Sequence, residues 1–595
     1  MPLDILRDST FGNIVNYLSK GRYLPYEDQK PGYTVPQRYL LPSSPTFRQN
    51  SLPPSRTISQ SPTFVGSVGS PPATLVNEHG ICKELAGKEM DENKGMSKSG
   101  EQEPGKEMSE KGHSHNEVDA ERNDEDPTSY PFVVAFEEND QDRPQNWSPR
   151  KRYFVGVLIG ALTFSIYVAS AIYTSSIPGI MQEYGVGDVA AIAGLSLFVA
   201  GYGISPMVLS PMQEVPSFGR NPVYIVGLAL FLIFQIPPIF APNIGTILVF
   251  RFLAGAAGGP ALATGGASMG DIVPGHHYAI ALSGWSMGAV LGPIFGPVIG
   301  GFAAQANGWR WSFYELLWIG GVAFIVLFLF LPETLEDTVL LRRAQRLRKL
   351  TGNDKIKAPS ELGKNAHEGV GFVIKENIYR AIRLSAEPSI LVANSYIALV
   401  YSIFYLWFEA FPIVFTEQHG FNLGLSGLPY LGFVVSGIFT LVVYVWYQLY
   451  RLNPYLDAHP ETGPEIRLKI AIVAAVCIPI SLFGFGWTAQ THQHWILPII
   501  FAAIYLPGIF LAFQSIMMYV ALSYPKYAAS VLAGNDLFRS VFASVFPLFG
   551  AKFFRALGLG GGSSLLAGVS ILMIPTLWAI MKYGATLRAR SSFAN

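Results

Sequence analysis

The sequence predicts an all-α polytopic membrane protein with twelve transmembrane helices arranged in two bundles of six. Composition is the first reason: 50% of the 595 residues are hydrophobic and only 14% are charged, which is too apolar for a soluble multidomain chain. The second is a series of apolar stretches of membrane-spanning length, and the third is a hydrophilic gap midway along that series. Because the 42 basic and 42 acidic residues balance, we expect no nucleic-acid partner.

Apolar stretches of roughly 20 residues recur from Tyr153 onward, and each is long enough to cross about 30 Å of hydrocarbon. The predicted spans are 153–178, 189–212, 221–241, 244–268, 277–304, 312–332, 388–416, 424–449, 467–488, 495–522, 528–554 and 562–585. They define an N-terminal six-helix bundle at 153–332, a central linker at 333–387, a C-terminal six-helix bundle at 388–585 and a short tail at 586–595.

Basic residues in the connecting segments predict the orientation, because Lys and Arg are retained on the cytosolic side of a membrane. One alternating set of segments contains most of them: Arg150, Lys151, Arg152, Arg220, Arg342, Arg343, Arg346, Arg348, Lys349, Arg451, Arg467, Lys469, Lys526, Arg588 and Arg590. The other set contains only Arg310, Lys552 and Arg555. We therefore expect both termini and the central linker to lie in the cytosol.

The N-terminal segment, residues 1–150, is polar and rich in Pro, Ser, Gly, Glu and Lys, so that it cannot bury enough apolar surface to offset the entropy of ordering. It is predicted to be a largely disordered cytosolic tail, without the basic and apolar regions of a secretory signal. Its first 20 residues carry apolar side chains near helical spacing, from Leu3 to Leu18. These residues form either a short amphipathic helix on the membrane or protein surface, or an unstructured stretch.

The sequence predicts no enzyme, no metal site and no cofactor. Cys82 and Cys477 form neither a disulfide framework nor a metal-binding spacing. No soluble domain carries a nucleophile motif or a glycine-rich phosphate loop, which also excludes a self-contained ATP-driven pump.

Several local motifs accompany this organisation: Asn146-Trp147-Ser148, Ser217-Phe218-Gly219-Arg220-Asn221-Pro222, Gly-Pro-x-x-Gly-Pro-x-x-Gly-Gly at 292–301, Pro464-Glu465-Ile466-Arg467-Leu468 and Asn535-Asp536-Leu537-Phe538-Arg539-Ser540. Together with the two six-helix halves they resemble the major facilitator superfamily, and within it the fungal twelve-span drug:proton antiporters. The stretches at 6–9 and 33–39 are further similar to the benomyl, azole and cycloheximide multidrug-resistance branch. The resemblance implies a plasma-membrane exporter of lipophilic drugs that rocks between two states, is driven by proton entry and acts as a monomer.

Two other functions compatible with this resemblance stay open. A polyamine or organic-cation exporter of the same fold would need several inward-facing carboxylates, and Glu315, Glu409 and Asp536 are the available ones. A transporter-like sensor could signal through the long N-terminal segment, but a glycine-rich antiporter motif would then have no purpose. We therefore favour drug export.

The fifth predicted span carries glycines at intervals of four residues, with two prolines and a final glycine: Gly284, Gly288, Gly292, Pro293, Gly296, Pro297, Gly300 and Gly301. Spacing by four keeps one helix face nearly flat, since successive residues drift only about 40° around the axis. In transmembrane helices such a stripe usually makes a static contact. Because the resembled family places its antiporter motif here, we expect instead a track along which a helix of the other half slides.

The loop after the second predicted span contains Glu214, Gly219 and Arg220, which match parts of the gating signature of the resembled family. The spacer between the glutamate and the glycine is two residues longer than the common form, and Asn221 stands where a second basic residue is usual. The resemblance implies a cytosolic gate latched by pairing with nearby helix ends; a plain turn is the alternative.

Four ionisable residues within the spans are candidates for proton coupling or substrate contact: Arg251, Glu409, Asp536 and Arg539. A guanidinium in hydrocarbon is costly, so Arg251 is expected to face a wet cavity, to tune a carboxylate or to hold backbone carbonyls, unless it reaches the outer helix end. Glu409 lies among Trp407, Phe408 and Phe411 and is our main candidate for proton exchange. Asp536 and Arg539 are three residues apart and are expected mainly to neutralise each other.

Aromatic residues are abundant in the second half of the chain. Most are expected to pack or to face lipid, but a site for flat lipophilic compounds needs large apolar faces with few fixed hydrogen bonds. We therefore expect a few of them, such as Tyr405, Phe408, Tyr505 and Phe513, to line the substrate cavity.

Overall fold

The computed structural model of the protein describes residues 2–36, 39–40, 132–273, 275–362, 370–524, 527–591 and 593. Within these residues, eleven helical segments are long and apolar enough to cross a membrane. Their bounds are Pro149–Tyr184, Asp188–Glu214, Arg220–Ile239, Ile244–Ile272, Tyr278–Asn307, Trp311–Phe330, Pro388–Gln418, Leu425–Ala458, Pro464–Thr488, Ile496–Ser523 and Ser530–Arg590. The first ten are numbered spans 1 to 10 below.

The last segment accounts for two crossings. It belongs to the helix Ala528–Arg590, whose 63 residues would extend about 95 Å if straight, some three times the thickness of the hydrocarbon core. Gly558 interrupts this helix with φ 71° and ψ 160°, a conformation that favours glycine. The chain therefore divides at Gly558 into span 11 and span 12, and the predicted all-α fold with twelve crossings is confirmed.

Packing between the helices groups the spans into two halves. In the first half, span 1 packs along span 5 and span 2 along span 4; in the second, span 7 packs along span 11. The halves meet where span 2 packs against span 11, and where span 5 packs against Leu425–Tyr430, the first residues of span 8. At the first of these contacts Gly203 approaches Ser540 so closely that a Cβ on the glycine would lie 2.3 Å from the serine Cβ.

The described part of the linker between the halves contains two α-helices, Glu336–Thr351 and Val370–Ser385. The first helix has two acidic residues in its first turn and Arg348 and Lys349 in its last turn, charges that interact favourably with the helix dipole. Gly352, in the left-handed conformation, caps its C-terminus. We call the side of the bundle that carries these helices the linker side.

The N-terminal segment is helical over its first residues, in two pieces, Pro2–Asp8 and Thr10–Leu18. Ser9 separates them: its backbone is extended, and its hydroxyl accepts a hydrogen bond at 3.1 Å from the amide of Gly12, as an N-cap does. Of the two sequence-based alternatives the helical one is therefore found. The expectation of a largely disordered tail covered residues 1–150. Residues 2–36 and 132–150 instead pack as described below, and residues 41–131 lie outside the described residues.

The described parts of the N-terminal segment join the first linker helix in a structure that we call the collar, formed by residues 2–36, 39–40, 132–147 and 336–361. Its small apolar core consists of Tyr39, Val134, Leu340, Ala344, Leu347, Ile356 and Ala358. Ion pairs surround that core: Arg346 pairs with Asp28 at 2.8 Å and Arg343 with Asp140 at 2.5 Å. Burial alone would raise the pKa of Asp140, but its hydrogen bonds with Arg343 and the amide of Asp142 lower that pKa overall.

Candidate functional site

The glycine stripe of span 5 packs against span 1, which belongs to the same half. A Cβ on Gly292 would lie 2.6 Å from the Tyr167 Cβ, and one on Gly296 would lie 2.6 Å from the backbone nitrogen of Ile172. Gly288 and Gly300 also approach span 1, whereas Gly284 is exposed and a Cβ there would meet nothing within 4 Å. The prediction of a track along which a helix of the other half slides is therefore wrong. Spacing by four identifies the flat face of span 5, but it does not identify the helix that packs on that face.

The other half contacts span 5 near the end of the motif. Gly301 approaches the backbone oxygen of Leu423, and a Cβ on Gly427 would lie 2.5 Å from the backbone oxygen of Pro297. The side chain of Gln305 accepts a hydrogen bond at 2.8 Å from the amide of Gly424. These contacts bring the backbones of the two halves together on the side opposite the linker.

The loop between spans 2 and 3 is fixed by an ion pair that sequence analysis missed. Arg220 donates from Nε to Oδ2 of Asp271 at 2.5 Å and from Nη2 to Oδ1 at 3.2 Å. Asp271 lies in the last turn of span 4 and was not among the residues predicted for the gate. Glu214, in contrast, is exposed and lies in a cavity beside the second linker helix.

Glu333, immediately after span 6, completes this loop structure and was also missed. Its side chain accepts hydrogen bonds from the amides of Arg220 at 3.0 Å and Asn221 at 3.3 Å. Gly219 has φ 77°, and a Cβ there would lie 2.4 Å from a Glu333 carboxylate oxygen, so glycine is required for both reasons. Asn221, in the expected second basic position, donates to the backbone oxygen of Leu331 at 2.5 Å and accepts from Thr10 of the collar at 3.0 Å.

Arg251 is completely buried within the first half. Its Nε donates to the backbone oxygen of Gly194 at 3.1 Å, and its guanidinium lies 4.8 Å from the ring centre of Tyr173 and 4.2 Å from that of Phe198. Among the described residues no carboxylate pairs with it, and its two terminal nitrogens have no hydrogen-bond partner. The structure therefore places Arg251 between aromatic rings and on a backbone carbonyl, away from the outer helix end.

Glu409 is buried at the contact between spans 7 and 11 of the second half, where a Cβ on Gly550 would lie 3.0 Å from its Cγ. In the described part of the chain its Oε1 has no hydrogen-bond partner. Electrostatic interactions also link it to Asp188, the first residue of span 2 in the other half, and to Arg555 of its own half.

Asp536 and Arg539 form a buried ion pair at that boundary, in which Arg539 donates from Nη2 to Oδ1 of Asp536. Arg539 also donates to the hydroxyl of Tyr167, in span 1 of the other half, at 3.4 Å. Both residues border a cavity nearer the linker side, which is lined by Gly266 and Trp285 of the first half and by Phe513 and Met517 of the second. Oδ2 of Asp536 and Nε of Arg539 are buried without a hydrogen-bond partner among the residues described.

The four aromatic residues predicted to line the substrate cavity lie in different parts of the structure. Phe513 is half-buried, lines this cavity and lies 5.2 Å from the Arg539 guanidinium. Tyr405 is buried between the halves and pairs with Tyr202 at 3.0 Å. Phe408 stacks on Tyr430 inside the second half, and Tyr505 donates to the backbone oxygen of Val400 at 2.6 Å in the same half.

The arrangement suits a membrane transporter, because two helical halves enclose a cavity that contains a buried ion pair and aromatic surface. Comparison with known proteins agrees. The model of the Major Facilitator Superfamily matches residues 159–547. The chain belongs to the major facilitator superfamily. It is therefore a multi-pass membrane transporter and not an enzyme.

Relatives of this superfamily member match over most of the chain. The cycloheximide resistance protein of Candida maltosa is 36% identical over 601 residues, which cover 99% of both proteins. Fluconazole resistance protein 1 of Saccharomyces cerevisiae is 38% identical over 470 residues, 78% of this chain and 85% of that protein. Transporter mfs1 of Schizosaccharomyces pombe is 41% identical over 471 residues, 78% of this chain and 88% of that protein.

Among solved structures, the xylose transporter XylE of E. coli, in a partially occluded inward-open conformation, aligns with a TM-score of 0.50 and 15% identity over 72% of this chain and 97% of that one. At this level of identity the likeness supports the fold alone. The predicted family is thus confirmed by sequence and the predicted fold by structure.

Proposed function

We propose that this protein exports lipophilic drugs, azoles and cycloheximide among them, in exchange for protons. The observation that carries the proposal is the Asp536–Arg539 pair, which is buried at the boundary of the two halves and borders a cavity with aromatic and apolar walls. Such walls accept flat apolar molecules of varied shape, while a single charged pair adds few directional constraints. The names of the fungal relatives supply the drug classes.

Proton coupling requires a group that binds and releases a proton between the two faces of the membrane. A carboxyl group does so without leaving its place, and Asp536 and Glu409 each have a buried oxygen with no hydrogen-bond partner among the described residues. Asp536 is the stronger candidate because it contacts both the cavity and, through Arg539, the other half. Glu409 is the second candidate, buried between spans 7 and 11.

The proposal includes the setting in which the protein acts. The excess of Lys and Arg on the linker side supports a cytosolic location for the linker and both termini. Export of toxic compounds from the cell then requires the plasma membrane. Since one chain supplies both halves and the cavity between them, a monomer is sufficient.

A growth assay tests the proposal directly. The chain is expressed in a yeast strain that lacks its own exporters, and its arrival at the plasma membrane is followed by fluorescence microscopy of a tagged form. We expect raised tolerance to azoles and cycloheximide and no change for polyamines. If tolerance rose for polyamines alone, the substrates would be organic cations and not drugs. If the chain reached the membrane without changing any tolerance, export would be excluded.

A further inference from the structure

Three tyrosine hydroxyls meet at the boundary of the two halves. The hydroxyl of Tyr202, in span 2, lies 3.0 Å from that of Tyr401 and 3.0 Å from that of Tyr405, both in span 7. Tyr202 and Tyr405 are completely buried. The three residues form a hydrogen-bonded group centred on Tyr202, which we call the tyrosine triad.

The triad is continuous with the candidate site. The ring of Tyr167 packs edge-on against that of Tyr202 with centres 5.7 Å apart, and the guanidinium of Arg539 lies 5.0 Å from the ring centre of Tyr401. Tyr405 also donates to the hydroxyl of Ser170 in span 1 at 3.4 Å. The groups around Tyr202 therefore come from spans 1, 2, 7 and 11, two from each half.

We infer that Tyr202 is a positioning residue that locks the two halves together in the state seen here, in which they meet on the side opposite the linker. Its hydrogen bonds to Tyr401 and Tyr405 form the lock. The inference rests on the alternating movement contained in the proposed function. A buried hydroxyl without a partner is unfavourable, so the triad stabilises the close approach only while all three rings stay together. When the halves part, both bonds of Tyr202 break at once, and the hydroxyls become available to water or to a bound drug.

The backbone next to Tyr202 is built for this close approach. Gly203 follows it directly, and its missing side chain leaves room for Ser540 of span 11. The triad and this glycine contact thus lie side by side at the packing of span 2 on the second half. Hydrogen bonds supply the attraction there, and the glycine permits the short distance that they require.

Distance measurements across the two halves test the lock without any need for transport. Spin labels are placed on cysteines that replace Asn307 and Thr491, two exposed residues on the side opposite the linker, one in each half. Cys82 and Cys477 are replaced by serine, and the full chain is studied in lipid nanodiscs. Distances between the labels then report how far the halves separate on this side.

We expect Tyr202→Phe, which keeps the ring and removes both hydrogen bonds, to raise the ratio of long to short distances by about tenfold. Tyr401→Phe removes one of the two bonds and should give a smaller rise in the same direction. The matched control is Tyr224→Phe, since the Tyr224 hydroxyl lies 2.9 Å from both Thr264 and Ser268 within one half. This variant should keep the distances of the parent.

A lock between the halves is excluded if Tyr202→Phe keeps the parent distances, or if Tyr224→Phe shifts them equally. Should Tyr202→Phe fail to fold, the result for Tyr401→Phe decides in the same way. If the chain moved no drug at all but Tyr202→Phe still shifted the distances, the proposed function would fail and the lock would stand.

Discussion

Arg220 and Asp271 are joined by two hydrogen bonds, of 2.5 Å and 3.2 Å, although 51 residues separate them in the sequence. Both belong to the first half, where the pair ties the start of span 3 to the last turn of span 4. The loop that resembles a family gate is thus fixed to its own half, and any opening on the linker side moves it as a unit with spans 3 and 4.

This geometry makes Arg220→Lys a demanding test. Lysine keeps the charge but offers no planar fork, so it cannot reproduce the paired contact with Asp271. Loss of one charge-assisted hydrogen bond, with the opposite charges still in place, costs about 1.5–3 kcal/mol. We expect lower thermal stability and lower surface expression, measured by fluorescence-detected size-exclusion chromatography. The double exchange Arg220→Asp with Asp271→Arg should be more stable than either single exchange. Parent-like stability of Arg220→Lys would contradict this role.

The glycine stripe predicts a contrast within one helix. Gly296→Leu places a side chain against the backbone of Ile172, where even a Cβ has only 2.6 Å, and overpacking of this kind costs about 1–3 kcal/mol or more. Gly284→Leu meets open space and should be tolerated. Melting temperatures of the purified proteins measure the difference. Equal melting temperatures for the two variants would show that the stripe does not hold spans 1 and 5 together.

The collar predicts a dependence on acid pH. Burial opposes ionisation of Asp140, but its hydrogen bonds with Arg343 and the Asp142 amide hold its pKa below the usual value of 3.8. The stabilisation is therefore present above about pH 4 and is lost as the pH falls through the lowered pKa of the folded state. Pepsin cleavage of the N-terminal segment should stay slow until the pH is well below 4.

The matched variant for this prediction is Asp140→Asn, which removes the negative charge at every pH. It should destabilise the collar by about 1–2 kcal/mol and admit pepsin at a pH where the parent chain is still protected. Cleavage that follows the same pH profile in both proteins would show that the Asp140 pair does not hold the collar.

The two candidate carboxyl groups can be separated by their amide variants. Asp536→Asn and Glu409→Gln both keep shape and hydrogen-bonding capacity but cannot exchange a proton. If Asp536 couples the proton, its variant should still bind drug, lose uphill export and show a flat pH profile of transport, whereas Glu409→Gln should keep the parent profile. The reverse pattern would transfer the coupling role to Glu409.

More of the fold than of the candidate site could be predicted from the sequence. Hydropathy fixes which stretches cross the membrane, because each must reach across the hydrocarbon, so all twelve crossings could be predicted. The division of the last long helix at Gly558 follows the same signal. Contacts between distant residues leave no such periodic signal. For this reason the sequence analysis did not single out Asp271, Glu333 or Tyr202.

The glycine stripe and the collar show the same limit in different ways. Spacing by four identified the flat face of span 5 but gave no information on whether span 1 or a helix of the other half covers it. Composition suggested disorder for the whole N-terminal segment, yet a few charged residues, such as Asp28 paired with Arg346 at 2.8 Å, anchor its first part to the linker helix 318 residues away. A few long-range ion pairs hardly change the amino-acid composition of a 150-residue segment, so composition could not reveal them.

Uptake of a neutral drug into proteoliposomes that contain the purified chain tests the central claim most directly. With an acidic interior and a gradient of one pH unit, proton exit provides about 1.4 kcal/mol, enough for about tenfold accumulation at one-to-one exchange. Drug export coupled to protons predicts this accumulation for the parent chain and its loss when a protonophore is added. The same accumulation with and without the proton gradient would contradict the claim.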